Sequence, residues 1–456
     1  MALVASSSPA ARIAQYLSDR IPRYTSYPTA PHFSQVVNAS TYAGWLDGLA
    51  DDARLSLYLH VPFCRTLCWY CGCHTTVTRH RAPIQQYAAL LEREIALVAA
   101  RLGGRRVAHL HWGGGTPTIV GADTFSSMMA SLRRSFVFER EAEIAVEVDP
   151  RHLDAAMAEA LAKGGVTRAS LGVQSFDPVV QRAVARVQSL EVTQFCADRL
   201  RAAGIAAINA DLLYGLPHQT VASCEDSVVA ALTLRPARLS VFGYAHVPLV
   251  KRHQAVIPTD ALPDGPERLR QEQAIGEALV RAGYVRIGLD HYALPDDALA
   301  RAQREGRLRR NFQGYTDDPA EALIGFGASS IGQLPQGYVQ NVPELREWSR
   351  RIEAGVLATE RGVALTAEDR LRADIIGGLM CNLTVDVPAT LERHGFAPDH
   401  LETELAMLTP LASDRLVLVE DGVLTVPEAM RTLIRRVACV FDAYLQPSAG
   451  RHAVAV

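Results

Sequence analysis

The stretch SLYLHVPFCRTLCWYCGC, residues 56–73, runs from an apolar, strand-like segment directly into four closely spaced cysteines. Three thiolates separated by three and then two residues can hold three irons of a cubane and leave the fourth iron without a protein ligand. Structural zinc is normally closed by four ligands, and ferredoxin clusters also take four cysteines. The spacing therefore indicates an open iron–sulfur site, with a compact zinc site closed by Cys73 or His74 as the alternative. The three spaced cysteines are Cys64, Cys68 and Cys71.

The composition is that of an ordinary globular protein. The chain has 456 residues, 48% of them hydrophobic, and its 46 basic and 49 acidic residues give a net charge of −3. This balance excludes a strong polyanion-binding field over the whole surface, although a local basic pocket remains possible. The four cysteines outside the cluster are scattered and are expected to be small buried residues, which fits a reducing compartment. No secretory signal and no apolar run of membrane-spanning length is present, so we expect a cytoplasmic protein.

Short apolar runs alternate with amphipathic stretches over residues 55–294. Six such βα units in series predict parallel strands joined by right-handed crossovers. The predicted strands are Ser56–Val61, Val107–Trp112, Ile144–Val148, Ala169–Val173, Ala207–Leu213 and Leu239–Tyr244. The predicted helices are Ile84–Ala100, Phe125–Phe136, Leu153–Lys163, Val192–Ala203 and Cys224–Leu234.

Every predicted strand ends in polar or glycine-rich sequence, and the carboxyl ends of parallel strands form the working face of α/β folds. A ligand site to which six consecutive strand ends contribute residues suits a curved sheet better than an open sheet with one crevice. We therefore predict an α/β fold with a partial or full TIM-like (β/α) barrel and a smaller, mainly helical C-terminal domain. The expected divisions are an N-terminal segment over the active site (1–54), the barrel (55–294), an extension on the substrate side (295–364) and the C-terminal domain (365–456). Within the extension, Pro295–Gly337 is polar and is expected to be rich in loops.

The C-terminal region carries a predicted hairpin at Leu416–Val426, turned by Asp421-Gly422. Helices with such a hairpin resemble a winged-helix module. A nucleic-acid reader would need a clustered basic face, and few arginines are close together here. We therefore expect a lid or packing domain and no nucleic-acid partner.

Several polar residues at the strand ends are candidates for ligand binding. Gly113–Thr116 follows a strand and permits close backbone approach, although it matches no phosphate-loop pattern. Glu147 and Asp149 alternate and face one side. Carboxylates at strand ends can accept hydrogen bonds from ribose hydroxyls or an ammonium group, and an arginine can grip a carboxylate in a bidentate manner. Further candidates are Asp211, Gln174 and Arg186, while His109 and His111 are expected to be core or pocket histidines.

The motifs taken together resemble one family, the oxygen-independent coproporphyrinogen III oxidases of the radical S-adenosylmethionine (SAM) superfamily. The cysteine spacing alone specifies only the superfamily, whereas the full set is specific to this enzyme and its nearest relatives. The resemblance spans about residues 20–385, in order. The motifs are PRYTSYPTA (22–30), PFCRTLCWYCGC (62–73), HWGGGTPT (111–118), EVDP (147–150), GVQSF (172–176), DLLYGLP (211–217), YAHVP (244–248), DHYALP (290–295) and RNFQGYT (310–316).

The resemblance implies a radical SAM type of barrel that holds a [4Fe–4S] cluster and two SAM molecules per substrate. The implied cluster ligands are Cys64, Cys68 and Cys71. The implied contacts of the SAM on the open iron are Tyr58, Gly114, Glu147 and Ile331. The implied contacts of a second SAM are Tyr70, Gly115, Thr116, Gln174, Arg186, Asp211 and Ala245. Cys73, Arg23 and Gln313 correspond to catalytic or substrate-contacting positions, and Val187 departs from the family pattern, in which an acidic or polar residue is common.

The implied reaction converts two propionates of coproporphyrinogen III to vinyl groups, giving protoporphyrinogen IX in haem biosynthesis. A 5′-deoxyadenosyl radical made from SAM removes a β-hydrogen, and CO₂ and one electron then leave. Arginines such as Arg23, Arg309 and Arg310 are plausible clamps for the propionates. We expect a monomer that takes single electrons from a donor such as a flavodoxin or a ferredoxin.

Three other functions stay open from the sequence. A haem-trafficking relative would share the barrel and cluster, but such relatives generally lack the cysteine matching Cys73 and the PRYTSYPT segment. A radical SAM methyltransferase would act on another acceptor. A zinc-dependent nucleic-acid protein would lack an iron–sulfur chromophore.

Overall fold

The computed structural model describes residues 19–445 together with residues 13 and 15–17. Residues 1–12, the first part of the predicted N-terminal segment, lie outside this description. Among the described residues, none of the helices is long and apolar enough to cross a membrane.

A twelve-stranded sheet forms the centre of the molecule. Its strands are β1 (Leu55–Val61), β2 (Arg106–Gly114), β3 (Val137–Val148), β4 (Arg168–Gln174), β5 (Ala207–Tyr214), β6 (Arg238–Gly243), β7 (Val285–Ile287), β8 (His291–Ala293), β9 (Ala322–Phe326), β10 (Ile331–Leu334), β11 (Gly337–Asn341) and β12 (Thr359–Ala364). The order across the sheet is β12-β11-β10-β9-β1-β2-β3-β4-β5-β6-β8-β7. Strand β9 and strands β1 to β6 are parallel, and the strands at both edges are antiparallel.

Helices connect the parallel strands, as the alternating pattern predicted. The helices that follow β1 to β5 coincide with the five predicted ones to within a few residues. The α-helices are α1 (Ala39–Asp47), α2 (Arg81–Leu102), α3 (Ala122–Ser135), α4 (Ala155–Lys163), α5 (Pro178–Ala183), α6 (Leu190–Ala202), α7 (Val221–Thr233), α8 (Gly265–Arg281), α9 (Ala298–Arg304), α10 (Leu345–Glu353), α11 (Ala367–Asn382), α12 (Val387–His394), α13 (Glu402–Met407), α14 (Thr409–Ser413) and α15 (Ile434–Ala438). Side-chain caps fix several starts: Thr220 forms a capping box with Ser223 before α7, and Asp154 accepts from Met157 N before α4.

The structure adds a seventh parallel strand that the sequence did not indicate. Strand β9 pairs with β1 on the side away from β2, and all five of its residues are buried. The expectation of a loop-rich segment after Pro295 was therefore wrong for this part of the chain, which also contains α9, β10 and β11. The run ALIGF is short and lies between glycine-rich and polar sequence, so its pattern did not distinguish a buried strand from a loop.

The parallel strands curve around a polar interior. One cavity of about 180 Å³ is lined by residues of β1 to β6 and by the segment that precedes β9. Ion pairs cross this interior: Arg238 Nε lies 2.7 Å from Asp297, and Arg168 Nε lies 3.2 Å from Glu143. Residues from both ends of the parallel set share one cavity, so the sheet has the shape of a partial barrel, as predicted.

The C-terminal region packs directly on the barrel. Helices α11 and α12 pack against a three-stranded sheet of Thr384–Asp386, Leu418–Glu420 and Val423–Thr425. The predicted hairpin is confirmed, with Asp421 and Gly422 at φ 51° and 80°, as a type I′ turn requires. One hydrophobic core joins Leu212 and Val241 of the barrel to Leu371 and Ile375 of α11. This region is therefore held against the barrel by a shared core.

Candidate active site

Two adjoining cavities of about 580 and 600 Å³ open at the carboxyl ends of the parallel strands. They share Gly72, Cys73, Gly114, Glu147 and Lys251. The first cavity is lined by Arg23, Cys64, Cys68, Tyr70, Cys71, Cys73, Gly114, Gly115, Thr116, Glu147, Gln174, Arg186, Asp211 and Ala245. The second is lined by Tyr58, Cys73, Gly114, Glu147, Gln313 and Ile331. The structure therefore brings to these two cavities the residues implied as cluster ligands, as SAM contacts and as catalytic or substrate-contacting positions, whereas His109, His111, Arg309 and Arg310 lie outside both.

The cysteines lie on a loop that leaves β1 and is tied back to the barrel. A short parallel ladder pairs Phe63 and Cys64 with Thr76 and Val77. Hydroxyl groups point at the first sulfur: Thr75 Oγ1 lies 3.2 Å and Thr116 Oγ1 lies 3.5 Å from Cys64 Sγ. A thiolate accepts such bonds, so the hydroxyls suit an ionised, metal-bound cysteine.

The second and third cysteines also face polar partners. Arg186 Nη1 lies 3.5 Å from Cys68 Sγ. A hydrogen bond from Cys73 lowers the pKa of Cys71 to about 6. Three thiols supported by hydroxyl and guanidinium donors are a donor set that fits an iron–sulfur cluster.

The spacing of the side chains does not suit a single metal ion. Among the described residues, no group of three or more His, Cys, Asp or Glu side chains converges as one ion would require. Ligands of a cubane bind different corners of the cluster and can therefore lie further apart.

The glycine turn after β2 lies against the cysteine loop with no room for side chains. A Cβ on Gly115 would lie 2.6 Å from Phe63 O, and one on Gly114, whose φ is 110°, would lie 2.7 Å from the His60 ring. The Gly114 amide donates to Glu147 Oε2 at 3.1 Å, and Glu147 Oε1 lies 3.2 Å from His111 Nε2. The glycines therefore leave a bare backbone rim beside a fixed carboxylate.

Tyr58 is held by a chain of hydrogen bonds through a neutral histidine. Burial lowers the pKa of His60 to about 4. His60 Nε2 donates to the His74 carbonyl at 3.0 Å, so its Nδ1 accepts from Tyr58 Oη, also at 3.0 Å. The tyrosine ring is thereby fixed at the mouth of the second cavity.

Polar groups opposite the cysteine loop are only partly satisfied. Arg186 Nη2 donates to Gly172 O at 2.8 Å, while Arg186 Nε is buried without a hydrogen-bond partner among the described residues. Gln174 Oε1 is likewise buried without a partner in the described chain, and Gln174 has a φ of 66°. Buried polar atoms normally have partners. Unsatisfied atoms at the wall of a cavity therefore fit a polar ligand.

The carboxylates of Asp149 and Asp211 also line the first cavity, opposite the cysteine loop. Burial would raise the pKa of Asp149, but the hydrogen bond from Arg151 and the charge of Arg186 hold it at about 2. Burial raises the pKa of Asp211, which accepts from Ser170 Oγ at 2.8 Å. His109 and His111 line the interior cavity of the barrel, in agreement with the pocket role expected for them.

The N-terminal segment reaches the first cavity through Arg23, whose Nη2 donates to Gly243 O at 2.7 Å. Its neighbours are anchored: Tyr24 Oη donates to Asp442 at 3.0 Å, and Tyr27 Oη accepts from Ala443 N at 2.9 Å. Arg310 lies 3.5 Å from Asp290 and 4.5 Å from the centre of the Tyr315 ring, whereas Arg309 is exposed. Val187 is also exposed, so the departure from the family pattern falls on the surface.

Sequence reasoning missed the residues that hold the cysteine loop in place. Lys251 Nζ donates to Cys73 O at 3.1 Å, His253 Nε2 to Cys71 O at 2.8 Å and Gln254 Nε2 to Tyr70 O at 2.9 Å. Their partners are backbone carbonyls far away in the sequence, which leave no pattern in the chain. The only available signal was that these polar residues follow the YAHVP motif at the end of a strand.

Comparison with known proteins places the chain in one family. The model of the radical SAM superfamily matches residues 58–229. The chain is 55% identical to an oxygen-independent coproporphyrinogen III oxidase from Bradyrhizobium diazoefficiens, over 97% of this chain and 98% of that protein. It is 42% identical to the one from Escherichia coli K12, over 94% of each.

A solved structure agrees with these relatives. The structure of the Escherichia coli coproporphyrinogen III oxidase, described as a radical SAM enzyme, has a TM-score of 0.89 at 40% identity, covering 94% of this chain and 100% of that one. This family uses a [4Fe–4S] cluster and SAM, and the donor set of the cysteine loop fits them. The chain therefore belongs to the oxygen-independent coproporphyrinogen III oxidases of the radical SAM superfamily.

Proposed function

We propose that the protein catalyses the oxygen-independent conversion of two propionate side chains of coproporphyrinogen III to vinyl groups, which gives protoporphyrinogen IX in haem biosynthesis. The observation that carries this proposal is the meeting of the cysteine loop, the glycine turn and Arg23 around one cavity of about 580 Å³. The same cavity thus contains the cysteines that can hold the cofactor and an arginine that can bind an anionic group. This combination suits a radical reaction on an anionic substrate.

The cluster and its SAM supply a 5′-deoxyadenosyl radical when they are bound, and this chemistry belongs to the cofactor rather than to the protein. We assign Cys64, Cys68 and Cys71 to the cluster. Thr75 and Thr116 stabilise the charge on the first thiolate by donating to it. Cys73 forms a hydrogen bond with Cys71 through its thiol. We assign Cys73 to the substrate side because it lines both cavities.

The remaining polar residues orient the bound groups. We assign four residues to the first SAM. Gly114 offers backbone atoms and Glu147 offers a carboxylate, and Tyr58 and Ile331 are the other two contacts. The second SAM is assigned to the opposite wall, where buried atoms of Gln174 and Arg186 have no partner among the described residues. The other members of that wall are Tyr70, Gly115, Thr116, Asp211 and Ala245.

The substrate is assigned to the open side of the cavities, between Arg23 and Gln313. Arg23 is exposed there, so it can bind a carboxylate without first losing a buried partner. Residues 1–54 are assigned as the cover of this opening, residues 55–294 as the barrel, residues 295–364 as the substrate-side extension and residues 365–456 as the C-terminal domain. A position in the cytoplasm, a monomeric state and a one-electron donor of the flavodoxin or ferredoxin type complete the proposal.

Anaerobic turnover tests this function. The protein is reconstituted with iron and sulfide, given coproporphyrinogen III, SAM and a reductant, and the products are oxidised and separated by chromatography. We expect protoporphyrin IX to accumulate with two SAM molecules cleaved per product. SAM cleavage with no vinyl product from this substrate would instead indicate a different acceptor, as in a methyltransferase.

A further inference from the structure

Three exposed arginines lie close to the first cysteine of the cysteine loop. They are Arg65, Arg79 and Arg81, and we call them the arginine patch. No ion pair or side-chain hydrogen bond is found for any of them within the described part of the chain. Three positive charges are therefore left without a carboxylate partner next to Cys64, which the proposed function assigns to the cluster.

A short parallel ladder explains why two of these arginines lie on the same side of the cysteine loop. Cys64 pairs with Val77, and Thr78 N donates to Cys64 O at 2.9 Å. Because the two strands run in the same direction, the residues that follow them leave the ladder at the same end. Arg65 follows Cys64 and Arg79 follows Thr78, so both arginines begin at this end.

Arg81, the third member of the patch, begins helix α2 two residues after Arg79. The helix has no side-chain cap, and its first turn contains no acidic residue. A cation in the first turn is unfavourable, because the amino end of a helix carries a partial positive charge. The stability of α2 therefore does not account for this arginine. A residue that breaks a local rule without a structural gain is expected to serve a function.

The sequence around the patch carries no negative charge. From Ala53 to Leu91, a stretch that includes β1, the cysteine loop and the first half of α2, there is no aspartate or glutamate. The whole chain, by contrast, has a net charge of −3. A long-range attraction for anionic partners therefore cannot come from the overall charge and must come from local clusters of cations. The arginine patch is such a cluster.

The patch lies outside the two cavities at the carboxyl ends of the strands. None of its three arginines lines either cavity, whereas Cys64 lines the first. Cys64 is thus in contact with the cofactor cavity and is also the chain neighbour of the patch. A partner bound to the patch would reach the edge of a cluster held by Cys64 without occupying the substrate opening.

The patch suits a protein better than a small anion. Its arginines are exposed and enclose no cavity, and the side chain of Val77 beside them is also exposed. Arginine is enriched at protein interfaces, where opposite charges on the two partners steer their encounter and fix its orientation. The complementary partner is therefore a protein with an acidic surface.

We propose that the arginine patch is the docking surface for an acidic one-electron carrier protein that reduces the cluster. The proposal rests on the proposed function, which requires a reduced cluster. One electron passes from the carrier to the cluster, so the carrier is oxidised and the cluster is reduced by one electron, and no atom is transferred. The charge of the patch selects the acidic surface, and its position beside Cys64 directs the carrier to the cluster.

The test measures electron transfer to the reconstituted full-length holoenzyme from a purified acidic flavodoxin in its fully reduced form. Stopped-flow absorption under anaerobic conditions, with SAM present, follows the flavin semiquinone that forms when the carrier gives up one electron. Arg79→Glu and Arg81→Glu reverse charges of the patch without changing a residue between the assigned cluster ligands. The matched control is Arg106→Glu, because Arg106 is exposed and begins β2 at the opposite end of the barrel.

Each patch variant is expected to lower the second-order rate constant for semiquinone formation about fivefold at low ionic strength, and the double variant more. The difference from the unmodified protein should disappear at about 0.5 M salt, because salt screens exposed charges. Arg79→Lys should stay within about twofold, since steering depends on charge. Iron content, thermal melts and SAM cleavage driven by dithionite, a small reductant that needs no docking surface, should stay unchanged in every variant.

Three outcomes would overturn the docking surface. Equal rate constants for the patch variants and the Arg106→Glu control would show that the patch does not guide the carrier. A raised KM for coproporphyrinogen III in dithionite-driven turnover would show that the patch binds substrate. Weaker binding of a single-stranded RNA oligonucleotide with unchanged electron transfer would make it a nucleic-acid surface. If electron transfer depends on Arg79 but the unmodified protein makes no vinyl product, the proposed function fails while the docking surface stands.

Discussion

The four clustered cysteines differ in what surrounds each sulfur. Cys64 accepts from two threonine hydroxyls, and Cys68 faces Arg186, whereas Cys73 contacts Cys71 and lies between the two cavities. These surroundings support the proposed assignment of Cys64, Cys68 and Cys71 to the cluster and of Cys73 to the substrate side.

Serine substitutions separate these roles. Cys64→Ser, Cys68→Ser and Cys71→Ser should each lose most of the bound iron and the visible absorption of the cluster, because a serine oxygen is a poor substitute for a thiolate. Cys73→Ser should keep both and lose vinyl formation. Iron analysis and absorption spectra decide this, and a Cys73→Ser protein without a cluster would contradict the ligand assignment.

Arg186 connects the cysteine loop to the wall assigned to the second SAM. Removing it leaves Asp149 paired with Arg151 at 2.6 Å, so the fold should be preserved. We expect Arg186→Gln to retain the cluster and to lower vinyl formation at least tenfold at limiting SAM, because charge-assisted hydrogen bonds to the ligand are lost. Arg182→Gln, on the exposed surface of α5, is the control. Unchanged turnover at low SAM would refute the assignment of Arg186.

At the scale of elements, the segment around residues 247–256 supports the cysteine loop from outside. Gln254 is 1% exposed, donates to Tyr70 O at 2.9 Å and accepts from Val247 N at 2.6 Å. A leucine of similar size would leave both backbone groups unsatisfied, at a cost of about 1–3 kcal/mol each.

Gln254→Leu should therefore leave the barrel folded but release iron to a chelator several times faster than the unmodified protein. Gln194→Leu, which removes a surface contact with Asp198, should not change this rate. The loss of the absorption of the cluster over time is the measurement. Equal rates for the two variants would show that the support from Gln254 does not matter.

Helix α2 is joined to the strand β9 region by a buried acid. Glu94 accepts from Gly327 N and from Asn341 Nδ2, each at 2.6 Å. Burial outweighs these bonds and raises the pKa of Glu94 from 4.5 to about 7. The folded state therefore binds this proton more tightly than the unfolded state does.

Below pH 4.5, Glu94 is protonated in both the folded and the unfolded state and does not lower the free energy of unfolding. As the pH rises from 4.5 to about 7, the unfolded state loses this proton first, so the free energy of unfolding should fall by about 3 kcal/mol in total. Above about pH 7, Glu94 should cause no further decrease. In Glu94→Gln this component should be absent. Thermal melts of the unmodified and the Glu94→Gln apoproteins are recorded from pH 5 to 8. The difference between the two melting midpoints should change across this pH range. A constant difference would contradict the raised pKa.

The N-terminal segment, which is expected to lie over the active site, is firmly attached to the rest of the molecule by two tyrosines. Tyr24 and Tyr27 are 5% and 3% exposed and belong to the core shared by the barrel and the C-terminal region. Deleting residues 1–30 would expose that core. Arg23 is exposed. A substitution of Arg23 can therefore test whether the N-terminal segment binds substrate, because it leaves the buried Tyr24 and Tyr27 in place.

At the scale of the whole molecule, the sequence predicted what periodicity and local motifs encode. Strands β1 to β6, their helices and the hairpin at Asp421 follow from alternating hydrophobicity and turn chemistry. The cysteine loop, Gly114 and Glu147 could be expected to meet because each ends or follows a neighbouring parallel strand.

The remaining features depend on contacts that leave no local pattern. Strand β9 is five residues long and is stabilised by pairing with a strand more than 260 residues earlier. Gln254 bonds a distant carbonyl, and Arg268 and Arg435 meet Arg23 only because three separate segments converge. Such convergence is a property of the tertiary fold, so it could not be predicted from one sequence.

The proposed function requires that the site removes a β-hydrogen from each reacting propionate by means of a radical made from SAM. Isotope transfer tests it most directly. Coproporphyrinogen III deuterated at the β-carbons of its propionates is turned over anaerobically, and the 5′-deoxyadenosine is analysed by mass spectrometry. We expect two molecules of 5′-deoxyadenosine per protoporphyrinogen IX, each carrying one deuterium. Vinyl product accompanied by 5′-deoxyadenosine without deuterium would contradict it.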